Sequence, residues 1–319
     1  MAVTARTKGI IYIAISYIIF SADEPVIAKL IQLGQNNTIH GHNPISFCNL
    51  LFAGSLIGAI TLFILQYKNF KAFNFKKLTS IEWLWILVSA LLIGFFTPTF
   101  FFFGIMYTNV INVILLSTLH PPLTLFAGWL FFREKPTIRL VIASAITMTG
   151  SAAIVLLQQW FSIKNPVSLA STPHLGEIYV ILGVVSSTFS TLISFHAIRV
   201  LPGGIFNTLR MGLGAVFFFL IAVMMFGWSH FADLFSPFLW KWMLFYGNVI
   251  VALGMLFNYL GMQRIKVVDD VIAASFVPVS SIFFSYLILG IAPGIEQLIG
   301  SIIILTGIML AVREQIVTL

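Results

Sequence analysis

Charged residues are scarce in this chain. Asp, Glu, Lys and Arg make up only 8% of its 319 residues, whereas 59% of the residues are hydrophobic and the mean hydropathy is +1.03. Soluble domains carry about 25% charged residues, so this chain has too little charge to cover a surface that faces water. The scarcity excludes an ordinary soluble protein and predicts a chain that lipid surrounds.

Cysteine and cofactor motifs are also scarce. Cys48 is the single cysteine, which excludes an internal disulfide. No phosphate-binding loop, dinucleotide fingerprint or metal-ligand motif occurs, and His40 and His42 alone are weak evidence for a metal. The net charge of +7 does not indicate nucleic acid, because the basic residues fall in short connections between apolar runs. We therefore expect no cofactor, no metal and no nucleic-acid partner.

The chain contains a repeat of itself. A shift of 157 positions superimposes equivalent residues of the two halves: Gly104 and Gly261, Pro121 and Pro278, Pro136 and Pro293, and Gly150 and Gly307. The first part of each copy aligns at other offsets because loop lengths differ, with Gly9 on Gly176 and Pro44 on Pro202. Apolar helices can match by composition alone, but paired prolines and glycines at one fixed offset argue against that explanation.

The sequence predicts ten membrane-spanning helices. A helix needs about 20 mostly apolar residues to cross a bilayer. The runs that satisfy this are 9–31, 44–66, 82–106, 110–132, 138–158, 176–200, 205–227, 238–263, 269–290 and 295–313. With a cytoplasmic N-terminus, 13 of the 17 Lys and Arg residues lie on the cytoplasmic side, as the positive-inside rule requires. The expected fold is an all-α membrane protein with both termini in the cytoplasm.

Five spans in each copy would insert the two copies upside down relative to each other. We predict a first five-helix repeat over residues 1–158, an external linker over 159–175 and a second five-helix repeat over 176–319. Inverted repeats are typical of secondary transporters, which place their substrate site between the halves near the middle of the bilayer. The pattern therefore predicts a transporter and not an enzyme.

Acidic residues in the first span are candidate site residues. Asp23 and Glu24 lie about 22 Å of helical rise beyond Lys8, well inside the membrane. Each such group facing lipid would cost about 2.5–3.5 kcal/mol. One interpretation is that they line a cavity, where they bind a cationic group or carry a proton. The other places them near the outer interface, with Lys29 reaching the headgroups.

A second polar group lies in the fourth span. Ser117, His120 and Thr124 share one helix face beside a proline pair that begins at Pro121. Histidine changes charge near neutral pH, so His120 is a candidate for substrate or proton contact together with Asp23 and Glu24. The alternative is a hydrogen bond between packed helices. Mid-span prolines permit bending, and the candidate hinges are Pro25, Pro98, Pro121 and Pro278.

The second half carries further polar candidates. Arg210 lies one to two turns into the seventh span, where it would bind a carboxylate or phosphate of a substrate or, alternatively, backbone carbonyl groups. Asn258 and Tyr259, near the end of the eighth span, are candidate substrate contacts. Asp269 and Asp270 open the ninth span, where capping of the helix is the simpler explanation.

Several stretches are similar to one membrane family. The segment from Phe20 to Lys29, the segment from Thr118 to Pro136 and the segment from Arg139 to Leu157 resemble the first, fourth and fifth helices of the drug/metabolite transporter superfamily, specifically its ten-helix EamA-type exporters. In the second segment, a mid-helix proline precedes an acid, Glu134, by thirteen residues. The second half departs from this pattern, since Ile291 stands where Glu134 falls. The resemblance implies export of small metabolites, such as amino acids, or of drugs from a central cavity.

Together these features predict a secondary active transporter in the cell inner membrane. It would export a small polar or amphipathic metabolite, such as an amino acid or another amine-bearing compound, by alternating access, with protons as the candidate coupling ion. One alternative is an obligate exchanger of a nucleotide-like or phosphorylated metabolite, with Arg210 as its anion contact. A remote alternative is a multi-pass membrane enzyme that acts on a lipid-linked substrate, which would need a clustered acid, histidine or metal group.

Overall fold

The structure is a computed structural model, and it describes residues 5–39, 42–108, 110–133, 136–164, 175–231, 233–274 and 276–317. Over these ranges the chain forms α-helices with short 3₁₀ and π-helical segments and no β-strand. The helices are α1 Ala5–Phe20, α2 Asp23–Gln35, α3 Phe47–Ala72, α4 Ser80–Leu91, α5 Thr97–Tyr107, α6 Val110–Ser117, α7 His120–Phe132, α8 Ile138–Lys164, α9 Leu175–Val200, α10 Gly203–Phe226, α11 Pro237–Tyr246, α12 Gly254–Met262, α13 Val267–Ala274, α14 Val277–Leu289 and α15 Ile295–Val317.

These helices combine into ten spans. We number the spans 1 to 10 in chain order: α1–α2, α3, α4–α5, α6–α7, α8, α9, α10, α11–α12, α13–α14 and α15. By length and composition, seven helical stretches among the described residues are apolar enough to cross a membrane, and shorter apolar helices lie at 138–150, 280–289 and 297–310. The predicted all-α membrane fold, with ten helices in two inverted repeats, is confirmed. Helix α8 continues into the predicted linker 159–175, of which residues 165–174 lie outside the described part of the chain.

Helix packing repeats between the two halves. Span 1 packs on span 8 as span 6 packs on span 3, while span 2 packs on span 7 and span 5 on span 10. Glycines permit the closest of these approaches. Gly9 on α1 meets Gly261 on α12, just as Gly176 on α9 meets Gly104 on α5. Exchanging the halves therefore leaves the pattern of contacts unchanged, as expected for repeats related by a two-fold axis.

The contact between spans 5 and 10 shows this symmetry in detail. A Cβ atom at Gly150 would lie 3.1 Å from the carbonyl oxygen of Gly300, and a Cβ at Gly307 would lie 2.8 Å from that of Ala143. Ala143 and Gly300 are themselves 157 positions apart. The glycine pair in the sequence repeat thus marks two equivalent points where α8 and α15 touch backbone to backbone.

Most helix breaks also occur in equivalent pairs. Spans 3 and 8 contain π-helical segments at Leu92–Phe96 and Gly247–Leu253. Spans 4 and 9 are interrupted so that their second helices begin at His120 and Val277, 157 positions apart. Span 1 is broken at Ser21–Ala22, but its counterpart α9 is continuous. The break in span 1 is therefore a feature of the first half alone.

The candidate hinge prolines lie beside these breaks. Pro25 lies in the first turn of α2, after the break. A proline is tolerated there because the N–H groups of the first turn have no acceptor within the helix, so the missing N–H costs nothing. Pro98 follows the π-helical segment of span 3 and leaves the carbonyl of Gly94 without its usual i+4 donor. Pro121 and Pro278 likewise lie in the first turns of α7 and α14.

Candidate functional site

Spans 1, 4 and 9, each interrupted between two α-helices, meet at one cavity. Its volume is about 210 Å³, and it lies between the first and second halves of the chain. The first half contributes Tyr17, Phe20, Asp23, Glu24, Phe101, Ser117, Thr118, His120 and Pro121, and the second half contributes Ser187, Ala274 and Val277. The ends of α2, α7 and α14 at the breaks therefore form its wall. Four of the predicted site residues, Asp23, Glu24, Ser117 and His120, meet at this cavity.

The two acids occupy the first turn of α2. The hydroxyl of Tyr246 on α11 donates a hydrogen bond of 2.9 Å to Oδ1 of Asp23. Oε2 of Glu24 is buried and has no hydrogen-bond partner among the described residues. The N-terminal end of a helix favours negative charge, so α2 supports carboxylates at this position. The pair can accept a proton or bind a cationic group from the cavity.

His120 joins two spans at the cavity wall. Its Nε2 atom lies 3.4 Å from the hydroxyl of Thr124 on the same helix and 3.4 Å from that of Thr191 on α9. Both interpretations of His120 therefore fit its position, because it lines the cavity and also lies between the packed helices α7 and α9. The hydroxyl of Ser117 donates to the backbone oxygen of Ile114 at 2.6 Å.

The remaining predicted contacts lie away from this cavity. Thr124 is buried beneath His120, and Arg210 is buried on α10 with its Nη1 donating to Ser194 at 2.9 Å. The hydroxyl of Tyr259 accepts a hydrogen bond from the side-chain amide of Gln66 on α3. Asn258 is half-buried on α12. None of these four predicted residues is among the described residues that line the cavity.

Asp270 is a further buried carboxylate near the cavity, and the sequence did not distinguish it from the neighbouring Asp269. The hydroxyl of Tyr17, which lines the cavity, donates a 2.8 Å hydrogen bond to Oδ1 of Asp270 on α13. Asp270 is 1% exposed, and its Oδ2 has no partner among the described residues. Asp269 does act as a cap, since it accepts from the backbone of Lys266 at 3.2 Å. Capping therefore explains Asp269, but Asp270 has a different role.

Two further cavities are larger than the central one. A lateral groove of about 410 Å³ runs between α1 and α13–α14 and shares Tyr17 and Val277 with the central cavity. A pocket of about 530 Å³ lies where α9 and α12 end, lined in part by Phe195 and Met262. Among the described residues, no three His, Cys, Asp or Glu side chains lie close enough together to hold a metal ion.

Comparisons with known proteins agree with this architecture. Residues 7–156 and 174–313 each match the EamA-like transporter family. Over 310 residues the chain is 33% identical to the uncharacterized transporter sll1164 of Synechocystis sp., covering 97% of this chain and 88% of that protein. A solved crystal structure resembles the chain with a TM-score of 0.65 over 96% of both chains, and at 15% identity that likeness shows the fold alone. The chain therefore belongs to the EamA-like transporter family and is a multi-pass membrane protein.

Proposed function

We propose that this transporter exports a small amine-bearing metabolite, such as an amino acid, by alternating access through the central cavity. The observation that carries the proposal is the pairing of Asp23 and Glu24 at a cavity between inverted halves. Both acids line the cavity, and within the described ranges one oxygen of Glu24 has no hydrogen-bond partner. A buried acceptor without a partner costs about 1–3 kcal/mol, which a bound ammonium group or proton would recover.

The size of the cavity favours a metabolite over a drug. Sites for drug-sized ligands measure about 300–1,000 Å³, whereas this cavity measures about 210 Å³. Its wall combines carboxylates, hydroxyls and the aromatic rings of Tyr17, Phe20 and Phe101. Such a wall suits a compact molecule with a cationic group and a modest apolar part. His120 then serves as a hydrogen-bonding partner or as a carrier of the coupling proton.

Alternating access would use the broken spans. Backbone at the breaks of spans 1, 4 and 9 is free of part of the i→i−4 hydrogen-bond ladder, so these half-helices can tilt without disrupting a continuous helix. We place the protein in the cell inner membrane with both termini in the cytoplasm, because that orientation puts 13 of 17 basic residues on the cytoplasmic side. Proton exchange at Asp23 and Glu24 would couple the motion to the proton gradient.

Replacing the acids tests this proposal. In proteoliposomes loaded with a panel of radiolabelled amino acids, Asp23→Asn and Glu24→Gln should each lower proton-driven efflux by about tenfold or more, the equivalent of one charge-assisted hydrogen bond. Asp233→Asn is the matched control, because Asp233 lies in the connection between spans 7 and 8, outside the cavity. Its efflux should equal that of the unmodified protein.

Two results would contradict the proposal. Normal efflux in both acid variants would show that the two carboxylates have no role in transport. Efflux that occurs only when a phosphorylated compound is supplied on the opposite side, and that ignores the proton gradient, would instead establish obligate exchange.

A further inference from the structure

Arg210 is a buried cation that has no acidic partner within the described part of the chain. It is 4% exposed, seven residues into α10, or about 10 Å along the helix. Among the described residues its contacts are neutral: the hydroxyl of Ser194, the sulfur of Met255 and the ring of Phe206. A buried charge that is not compensated by an opposite charge is costly, and in membrane spans such a group usually serves a ligand or a partner.

One edge of the Arg210 guanidinium is held and the other is only partly satisfied. Nη1 donates to Oγ of Ser194 at 2.9 Å, which fixes the group on the α9 side. On the other edge, Nε has no hydrogen-bond partner among the described residues, and Nη2 lies 3.2 Å from Sδ of Met255. A thioether sulfur is a weak acceptor, so a stronger acceptor would displace it. The Nε and Nη2 edge is the fork that binds a carboxylate with two parallel hydrogen bonds.

The same chain shows this fork when it is occupied. Nε of Arg6 donates to Oδ2 of Asp269 at 3.2 Å, and Nη2 of Arg6 donates to Oδ1 at 2.6 Å. At Arg210 the Nη2 atom is hydrogen-bonded to a sulfur atom, and Nε has no hydrogen-bond partner among the described residues. A planar oxyanion would satisfy both nitrogen atoms of Arg210, as Asp269 satisfies those of Arg6.

Helix α9 connects the central cavity to Arg210. Ser187, Thr191 and Ser194 follow one another at helical spacing along one face of α9. Ser187 lines the cavity, Thr191 contacts His120, and Ser194 anchors Arg210. Phe195, the residue after Ser194, lines the pocket of about 530 Å³ at the end of α9. Residues of one helix, α9, therefore contact Arg210, the cavity and that pocket.

We propose that the Nε and Nη2 edge of Arg210 binds a carboxylate of the transported compound on its way between the pocket and the central cavity. This inference rests on the proposed function and narrows it, because the substrate would then carry an acid as well as an amine. The amine is received by Asp23 and Glu24, and the carboxylate is received by Arg210. Met255 occupies the fork while substrate is absent.

Thermal-shift titrations of the full-length protein in nanodiscs test the inference with four probes: 6-aminohexanoate, hexanoate, hexylamine and inorganic phosphate. Hexanoate and 6-aminohexanoate should stabilise the unmodified protein, because a ligand that binds the folded state raises its melting temperature. Arg210→Gln should raise the midpoint concentration for both carboxylates by about tenfold or more. Arg210→Lys should also weaken both, because lysine keeps the charge but lacks the fork.

Control variants separate this inference from the proposed function. Lys241→Gln removes an exposed cation of α11 and leaves the Arg210 guanidinium intact, so carboxylate binding should be retained. The response to hexylamine should persist in Arg210→Gln and disappear in the double variant Asp23→Asn, Glu24→Gln. A hexylamine response that survives in this double variant contradicts the amine site and leaves the test of Arg210 unaffected.

Three results would overturn the carboxylate site. The first is equal hexanoate midpoints in the unmodified protein and in Arg210→Gln, provided that both elute as one species and melt at similar temperatures without ligand. The second is the absence of any hexanoate response in the unmodified protein. The third is stabilisation by phosphate but not by carboxylates, which would assign the fork to a phosphorylated compound.

Discussion

At the scale of single residues, the buried acids divide by the kind of partner they have. Asp23 accepts from Tyr246 and Asp270 accepts from Tyr17, and each of these pairs joins the two halves of the chain. Asp269 instead forms an ion pair with Arg6. A neutral hydroxyl compensates a carboxylate only in part, so Asp23 and Asp270 can take a further partner. The ion-paired Asp269 is committed to a structural contact.

The Tyr17 and Asp270 pair gives a prediction about stability. Tyr17→Phe would leave a buried carboxylate without its hydrogen bond, and we expect a loss of about 1–2 kcal/mol in unfolding free energy. Reversible unfolding of purified protein in mixed micelles measures this loss. Tyr286→Phe is the control, because Tyr286 is 62% exposed. Asp270→Asn keeps an acceptor for Tyr17, so its loss in unfolding free energy should be smaller than that of Tyr17→Phe. A larger loss in Asp270→Asn would refute the role of the pair.

The structure brings together those candidate residues whose prediction rested on the local cost of burying a polar group. Asp23, Glu24, Ser117 and His120 share the cavity, and the expense of polar groups in apolar runs was enough to single them out. Arg210 and Tyr259 were chosen by the same cost but lie elsewhere, because a span that is apolar on all sides gives no sign of which face borders a cavity. Asp270 lies next to a capping acid, and its partner Tyr17 lies 253 positions away, so only tertiary packing relates them.

At the scale of helices, the sequence predicted the elements better than the breaks. Apolar run length located the spans to within a few residues, because a bilayer fixes the minimum length of each helix. The break in span 1 comes before Pro25 and not at it, since proline is compatible with a first turn. Glycines at positions 150 and 307 were visible as a repeat, but their function became clear only from the backbone contact of α8 with α15.

That contact leads to a second prediction about stability. In Gly307→Ala the new Cβ would lie 2.8 Å from the carbonyl oxygen of Ala143, so α8 and α15 must separate. We expect a loss of about 1–3 kcal/mol, as for other overpacked contacts, measured by unfolding in mixed micelles. Gly212→Ala is the matched control, because the nearest atom, Cβ of Ala59, would be 3.9 Å away. Equal losses in the two variants would show that helix separation is not the cause.

At the scale of the whole molecule, the two halves meet in different ways at the two membrane faces. Asn112 and Asp269 are equivalent in the repeat, 157 positions apart, and inversion places them on opposite faces. At one face Asp269 pairs with Arg6. At the other, Asn112 donates to the hydroxyl of Thr108 at 3.0 Å, and Thr108 donates to Glu177 at 2.8 Å. At the face of Arg6 the halves are thus joined by an ion pair, and at the face of Glu177 they are joined by neutral groups around one acid.

These two sets of contacts should bias access to the cavity in opposite directions. In a Cys48→Ala background, Ser187→Cys places a thiol in the cavity wall. Adding Asp269→Asn removes an ion pair worth at most about 1 kcal/mol and should raise labelling by an impermeant maleimide up to roughly fivefold, from the Arg6 face only. Adding Thr108→Val should raise labelling from the Glu177 face. Right-side-out and inside-out vesicles separate the faces. If both variants raised labelling from the same face, the contacts could not act as opposing closures, since an inverted repeat requires each to block a different side.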